Sequence, residues 1–160
     1  MIIDNLITDR TQADVDRVVE LTGKFLAGTI TGAEKAEYMA GMKGAYNYTD
    51  LNRVGEAVAY VASIMNQSGR SVSVTAKQNW TISDIPTIAQ MTAFLNDLTL
   101  LKANTTATIP NVPQSMDRLT FQTANQIEQL LIGAYNSIIR DGANWDRCGI
   151  AVSGVEGGLL

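Results

Sequence analysis

Apolar residues recur every three or four positions along several segments of the chain, which is the spacing of one face of an α-helix. The clearest segment lies between Thr49, a candidate N-cap, and Ser68-Gly69, a typical stop signal. We expect a helix between these two points. Its apolar residues, which advance by 3, 4, 3 and 4 positions, are Leu51, Val54, Val58, Val61 and Met65.

Two segments nearer the N-terminus show the same periodicity after a threonine. We expect a first helix after Thr11 that ends near Gly28, and a short second helix after Thr31 that runs to Ala40 before Gly41. The apolar stripe of the first helix consists of Val15, Val18, Val19, Phe25 and Leu26.

Two further helices are predicted in the second half of the chain. The turn at residues 84–87 leads into one, and the last, long helix starts at Thr120 and ends around Arg140, before Asp141-Gly142. The stripe of the former consists of Ile88, Met91, Phe94, Leu95, Leu98 and Leu101. The stripe of the latter consists of Ala124, Ile127, Leu131, Ala134 and Ile138.

These elements indicate a mainly α fold, a small bundle of four to five helices with a minor β-strand or hairpin element. The 3, 4, 3, 4 stepping fits antiparallel helices that cross at shallow angles. It fits equally well any helix that buries a single face. Residues 104–113 contain two prolines and several threonines, and we interpret them as an extended connector.

The strand candidate is the segment 71–77, where apolar and polar residues alternate strictly. A second candidate lies in the C-terminal tail, residues 149–160, which is apolar, rich in glycine and carries one charge, Glu156. Either residues 150–152 pair as a strand with residues 72–75, or the tail docks on a neighbouring molecule. The sequence therefore predicts a helical domain over residues 1–148 and a possible docking arm over residues 149–160.

Charged residues make up 18% of the chain, less than the usual quarter. A surface that is polar but uncharged suits packing into an assembly, and it suits a modestly charged globular domain equally well. The net charge of −4, with Lys and Arg scattered along the chain, argues against nucleic acid as a partner.

The sequence shows no pattern typical of a membrane-directed segment. The N-terminus lacks the basic start and the apolar core of a signal peptide, and no apolar stretch approaches the ~20 residues that a membrane span requires. We expect no membrane partner, and we expect synthesis in a cytoplasm without export by the usual route.

The chain contains no histidine and a single cysteine, Cys148. The absence of histidine removes the commonest general base, the Ser-His-Asp and Cys-His arrangements and most zinc sites. Asp14 and Asp16 lie on different faces of the first helix, and Glu34 and Glu37 fit a solvated helix face. We therefore expect no catalytic residue, no metal site and no cofactor.

The two tryptophans, Trp80 and Trp145, each lie next to turn residues. A tryptophan at the edge of a core, with its N–H bonded, is the usual case, and an anchor in an interface is the alternative.

Four further segments carry distinctive sequences, and together they cover nearly the whole chain up to about residue 135. The segments are residues 10–17 (RTQADVDR), 37–54 (EYMAGMKGAYNYTDLNRV), 80–87 (WTISDIPT) with Met91 and residues 94–98, and 115–128 (SMDRLTFQTANQIE). They resemble a module of tail and baseplate proteins from bacteriophages and prophages of Gram-positive, often gut, bacteria.

The resemblance implies a virion structural protein of the tail, baseplate or tail fibre, assembled in the cytoplasm of a bacterial host. Its expected partners are other phage structural proteins and copies of itself. A module that binds a glycan or protein on the host surface is the alternative. The candidate assembly contacts are Val72, Val74, Trp80, Trp145, Ile150, Val152, Val155, Leu159 and Leu160.

Overall fold

Five α-helices and one short 3-10 helix make up the regular structure in the described part of this chain. The computed structural model describes the backbone of residues 1–156 and the side chains of residues 1–142. The 3-10 helix spans Ile2–Asn5, and the α-helices are α1 (Gln12–Leu26), α2 (Gly32–Met39), α3 (Tyr48–Gln67), α4 (Ile88–Ala103) and α5 (Phe121–Glu156).

The predicted starts of three helices are confirmed by their hydrogen bonds. Thr11, Thr31 and Thr87 each accept a bond from the backbone N–H three residues further on, and each forms a complete capping box. Helix α3 differs, because Asn47 and not Thr49 is its N-cap. The side-chain oxygen of Asn47 accepts from both the N–H and the hydroxyl of Thr49, so the helix begins two residues earlier than predicted.

Helices α3 and α5 run in the same direction. Near the start of both, Arg53 of α3 donates to Glu128 of α5 at 2.9 Å. Just beyond the end of α3, Arg70 donates to Asp141 of α5, also at 2.9 Å. The start of α3 thus pairs with the start of α5, and the end of α3 with a position further along α5, which excludes the antiparallel arrangement for these two helices.

Helix α4 shares this direction. Leu51, near the start of α3, lines one small cavity together with Met91, near the start of α4. Thr106, just past the end of α4, lies within 3.1 Å of both Ser137 and Asp141, which are far along α5. The two connections, residues 68–87 and 104–120, therefore run back along the bundle.

The predicted strand at residues 71–77 is wrong, because this segment is one of these extended connections and has no strand partner among the described residues. Its alternation is nevertheless real, since Val72, Val74 and Ala76 pack on the core while Ser73 and Thr75 are exposed. Extended backbone explains both the alternating pattern and the absence of a ladder.

Asparagine side chains replace the missing strand partner. The amide of Asn66 accepts from the N–H of Val72 and donates to its C=O at 2.7 and 2.8 Å, and Asn52 binds Trp80 in the same way at 2.6 and 2.9 Å. Asn125 of α5 holds the backbone of Arg10 at 3.1 and 2.9 Å. We call Asn52, Asn66 and Asn125 the asparagine clamps.

The core lies between α3, α4 and α5, and the 3-10 helix covers one side of it. By contrast, α1 and α2 pack mainly on each other, so they form a helical hairpin beside the bundle. The fully enclosed side chains of the bundle include Val54, Val58, Val61, Met65, Leu98, Leu101, Ile127, Leu130 and Leu131.

Helix α5 does not end around Arg140 as predicted. It continues through Asp141-Gly142 to Glu156, so residues 150–152 have a helical backbone and the predicted strand pairing with residues 72–75 is wrong. The alternative, docking of the C-terminal tail on a neighbouring molecule, stays a prediction.

Candidate functional site

Four charged side chains meet in the interior where the N-terminal segment crosses α3 and α5. Nη2 of Arg10 lies 3.0 Å from Asp50 and 2.7 Å from Glu128, and Nη2 of Arg53 lies 2.6 Å from Asp50 and 2.9 Å from Glu128. The Glu128 side chain is 0% exposed. We call Arg10, Asp50, Arg53 and Glu128 the charge cluster.

Backbone groups occupy most of the remaining bonding capacity of the charge cluster. The N–H of Ile7 donates to Glu128, and the C=O groups of Ile7 and Lys43 accept from Arg10 at 2.7 and 3.1 Å. Two guanidinium groups balance two carboxylates, so the cluster is neutral as a whole. The charge cluster joins the N-terminal segment, α3 and α5. Both oxygens of each carboxylate accept hydrogen bonds.

The pKa of Arg53 reflects these contacts. Burial alone would lower it, but the hydrogen bond and the charge of Glu128, and then those of Asp50, raise the pKa above its usual value. A permanently protonated guanidinium suits a structural pair, since it neither gives nor takes a proton near neutral pH.

Tyr46 lies against the charge cluster. The guanidinium of Arg10 lies 5.6 Å from the centre of its ring, and its hydroxyl is buried without a hydrogen-bond partner among the described residues. Burial, together with the nearby charges of Glu128 and Asp50, raises the pKa of the Tyr46 hydroxyl well above its usual value. The phenol therefore stays neutral, and it makes no ionic contribution to the cluster.

A groove of about 1090 Å³ opens beside the charge cluster, between α1, α4 and the start of α5. Arg10 and Tyr46 form part of its wall. The other lining residues are mostly uncharged polar or apolar groups, among them Gln12, Met91, Thr92, Leu95, Asn96, Thr99, Gln114 and Phe121.

The segment from Trp80 to the first residue of α4 exposes three isoleucines, and we call residues 81–88 the isoleucine loop. Ile82, Ile85 and Ile88 are 84%, 86% and 82% exposed. Asp84 holds the loop by accepting from the N–H and hydroxyl of Thr81 at 2.7 and 3.1 Å. The backbone bond from Thr81, followed by Lys77, keeps the pKa of Asp84 below its usual value.

The helical hairpin also exposes apolar side chains. Val19 and Leu26 of α1 lie seven residues apart on one helix face, and both are exposed, as is Met39 of α2. On another side, Arg17 and Lys24 of α1 pair with Glu37 and Glu34 of α2. The ion pairs join the two helices, so they leave the apolar residues free to face outward.

The structure separates the predicted assembly contacts into two groups. Val72 and Trp80 are buried within the subunit and Val74 packs on the core, so these three side chains contribute to the fold of the single chain. The Trp80 indole N–H donates to the C=O of Lys77 at 3.2 Å, as expected for a tryptophan at a core edge. The contacts that lie outside the described side chains are Trp145, Ile150, Val152, Val155, Leu159 and Leu160.

Sequence reasoning missed both the charge cluster and the isoleucine loop. Arg10, Asp50 and Glu128 are far apart in the sequence, and no spacing rule connects them. The isoleucines at positions 82, 85 and 88 are three residues apart, and this spacing is visible in the sequence. By itself, however, such spacing indicates a buried helix face.

Two kinds of site are not found in the described part of the chain. Among residues 1–142, no three His, Cys, Asp or Glu side chains are grouped in a way that would hold a metal ion. None of the described helices is both long and apolar enough to cross a lipid bilayer.

Comparisons of this chain with protein-family models, with curated proteins and with solved structures give no match.

Proposed function

We propose that this chain is a non-enzymatic structural protein of a bacteriophage tail, baseplate or tail fibre, which acts through contacts with other virion proteins. The sequence resemblance described above suggests the particle. The observation that carries the assembly role is the isoleucine loop, which presents three large apolar side chains to solvent on a hydrogen-bonded frame.

The energetic reason is the cost of leaving such residues in water. Burial of one isoleucine side chain contributes about 1.5–3 kcal/mol, so a partner that covers Ile82, Ile85 and Ile88 gains considerable free energy. The loop is already held by Asp84 and Thr81, so little conformational entropy is lost when the partner binds. Exposed apolar groups on a fixed frame are typical of an interaction surface.

The interior polar groups support the same proposal. The two carboxylates of the charge cluster are buried and bonded to internal partners, as expected of groups that hold a fold together. A carboxylate that acts as a general base would instead need access to a substrate proton.

The test is incorporation into particles. Particles released by the strain that carries the gene are purified on a density gradient, and the chain is quantified in them by mass spectrometry. We expect a fixed number of copies per particle, and we expect Ile85→Asp to lower that number several-fold. Ser83→Asp adds the same charge to an exposed position in the same loop and should leave it unchanged.

Two results would contradict the proposal. The first is absence of the chain from purified particles. The second is equal incorporation of the Ile85→Asp variant and the wild type, which would remove the isoleucine loop as the assembly surface.

A host-surface binding module is the alternative, and the groove beside Tyr46 is the observation that favours it. Amide and hydroxyl side chains such as Asn96 and Thr92, next to the aromatic Phe121, suit the hydroxyl groups and apolar faces of a sugar ring. Binding of the purified chain to host cells, lost in an Asn96→Ala variant that still enters particles, would favour this alternative over a purely structural role.

A further inference from the structure

We infer that the isoleucine loop of one copy of this chain seats in the groove of a second copy, and that the second copy returns the same contact. The inference rests on the proposed assembly role, for which it names one partner and one contact surface. The partner is the chain itself. The surface is the isoleucine loop together with the groove between α1, α4 and the start of α5.

The isoleucine loop and the groove lie side by side on the molecule. Residues 86–88, the last three of the loop, line one end of the groove, so Ile88 belongs to both features. Ile82 and Ile85 do not line the groove, and their side chains are 84% and 86% exposed. An apolar protrusion therefore stands next to an open recess that it does not fill.

The isoleucine loop is anchored at both ends. At one end, the N–H of Trp80 donates to the side chain of Asn52 at 2.6 Å. At the other end, the N–H of Thr87 donates to Gln90 at 2.9 Å, as part of the capping box of α4. The isoleucines are thus held at the mouth of the groove of their own chain, in a position to enter the groove of another molecule.

The dimensions and the walls of the groove suit a loop of this kind. Its volume of about 1090 Å³ lies at the upper end of the ~300–1,000 Å³ of small-molecule sites. Along α4 it extends from Ile88 to Thr99, which at 1.5 Å per residue is about 16 Å. It therefore has room for several side chains of a partner. Its large apolar lining residues are Val15, Met91, Leu95, Met116, Leu119 and Phe121.

The charges of this face allow two identical surfaces to meet. The only charged side chain of the isoleucine loop is Asp84, which lies 3.1 Å from Nζ of Lys77. Among the residues that line the groove, only Arg10 and Asp117 are charged, and Arg10 is paired with carboxylates in the interior. The whole chain carries a net charge of −4. This face nevertheless brings few like charges together when two copies meet.

The placement of the isoleucine loop beside the groove favours a closed pair. A twofold axis that passes near Ile88 exchanges the two copies, so that each loop enters the groove of the other copy at the same time. If the loop and the groove lay on opposite faces of the molecule, the same contact would add copy after copy in an open chain. Side by side, they favour a reciprocal dimer.

The size of the contact indicates its strength. An isoleucine side chain that leaves water buries about 60–120 Å², and a similar area of groove wall is covered with it. Three isoleucines and one groove therefore bury roughly 400–700 Å² on each copy, which approaches the ~800 Å² per partner of a standard interface. We expect a dimer that dissociates on dilution.

The first experiment measures the mass of the purified full chain by light scattering over a concentration series. We expect a shift from monomer to dimer. Ile85→Asp places a charge on the loop, and Thr92→Arg places a long charged side chain in the groove, so each should raise the dissociation constant about tenfold or more. Both positions are exposed in the single chain, so the melting temperature of the dilute monomer should not change.

Two control variants match these changes. Val19→Asp introduces the same charge at another exposed apolar position, which lies on α1 and is 65% exposed. Ala103→Arg adds an arginine to an exposed position of α4 that does not line the groove. Both variants should dimerise like the wild type.

The second experiment mixes the two defective variants. In a pair of one Ile85→Asp chain and one Thr92→Arg chain, the unchanged loop of the second chain enters the unchanged groove of the first. One of the two contacts is then intact, whereas a pair of either variant with itself has none. The mixture should therefore contain more dimer than either variant alone at the same total concentration.

Each other outcome overturns the inference. A chain that stays monomeric at all concentrations, or a dimer that Ile85→Asp or Thr92→Arg leaves intact, excludes the contact of loop with groove. Loss of the dimer in Val19→Asp places the contact on the helical hairpin. Growth beyond the dimer excludes the closed pair, and a mixture without recovery excludes the reciprocal exchange.

The inference and the proposed function fail separately. Normal incorporation into particles of a chain that is monomeric at all concentrations would refute this inference alone. A loop-in-groove dimer that is absent from purified particles would refute the proposed function alone. Binding of a strictly monomeric chain to host cells, lost in Thr92→Arg, would assign the groove to a host ligand instead of a second copy.

Discussion

At the scale of single residues, Glu128 has the most demanding environment in the described part of the chain. Its side chain is enclosed, and it receives hydrogen bonds from Arg10, Arg53 and the N–H of Ile7. A buried ion network is weak evidence for net stabilisation, but the loss of one member leaves its partners uncompensated. The fold is therefore sensitive to this one carboxylate.

We expect Glu128→Ala to lower the free energy of unfolding by about 3–5 kcal/mol, because two guanidinium groups lose their shared acceptor. Glu128→Gln keeps the shape and some of the bonds, so its effect should be smaller. Urea denaturation of both variants measures the difference. Glu56→Ala, at an exposed position of α3, is the control, and an equal effect of Glu128→Ala and Glu56→Ala would contradict the role of the charge cluster.

None of the charge cluster was predictable from the sequence. An arginine and two carboxylates at positions 10, 50 and 128 resemble ordinary surface residues, since charged side chains are exposed unless paired. Their pairing depends on how the N-terminal segment crosses α3 and α5. That crossing is a tertiary feature, and no local pattern encodes it.

At the scale of elements, the helices were predictable because each start carries its own capping residue and each buried face its own spacing. The absence of a strand was not predictable, because alternating apolar and polar residues indicate an extended backbone with one buried side. The alternation does not identify the hydrogen-bond partner. In residues 71–80 that partner is a set of helix side chains, Asn66, Asp97 and Asn52. A clamp of this kind replaces the neighbouring strand.

Each asparagine clamp should therefore contribute more to the free energy of unfolding than an ordinary exposed polar residue does. Asn52→Ala leaves the N–H and C=O of Trp80 without their partner, and we expect a loss of about 1–3 kcal/mol in the free energy of unfolding. Asn79→Ala removes an exposed asparagine from the same connection and serves as the matched control. Thermal denaturation of the two variants compares them, and equal melting temperatures would contradict the clamp.

The helical hairpin should respond to acid. Glu34 of α2 accepts from Lys24 of α1, and this bond, followed by the N–H and hydroxyl of Thr31, lowers the pKa of Glu34 from 4.5 to about 2. A carboxyl with a depressed pKa in the folded state stabilises it above the unfolded pKa and loses that contribution as the pH falls through the folded pKa. The contribution of Glu34 is thus complete above about pH 4.5 and lost towards pH 2.

An NMR titration of the Glu34 carboxyl carbon measures this directly. We expect a midpoint near the lower value, and we expect Lys24→Met to move it upward because the principal donor is removed. A midpoint at 4.5 in the wild type would show that the contact between α1 and α2 does not persist in solution.

At the scale of the whole molecule, the parallel direction of α3, α4 and α5 was the feature that the sequence left open. A spacing of 3 and 4 between apolar residues shows which face of a helix is buried. The spacing is the same whether neighbouring helices run parallel or antiparallel. The connections of 20 and 17 residues could have signalled the difference, because antiparallel helices need only short turns. Their local patterns predict a strand and a connector, and neither pattern indicates that both segments return the chain along the bundle.

The closing of the charge cluster by residues that are far apart in the sequence has a consequence for synthesis on the ribosome. Ile7 bonds to Glu128 across 121 positions and Arg10 to Asn125 across 115, so these contacts form only after the start of α5 has left the exit tunnel. Until then, the N-terminal segment lacks its partner on α5. One side of α3 is likewise uncovered. A prematurely terminated product that lacks α5 would expose this unfinished core, which makes it a natural substrate for chaperones and proteases.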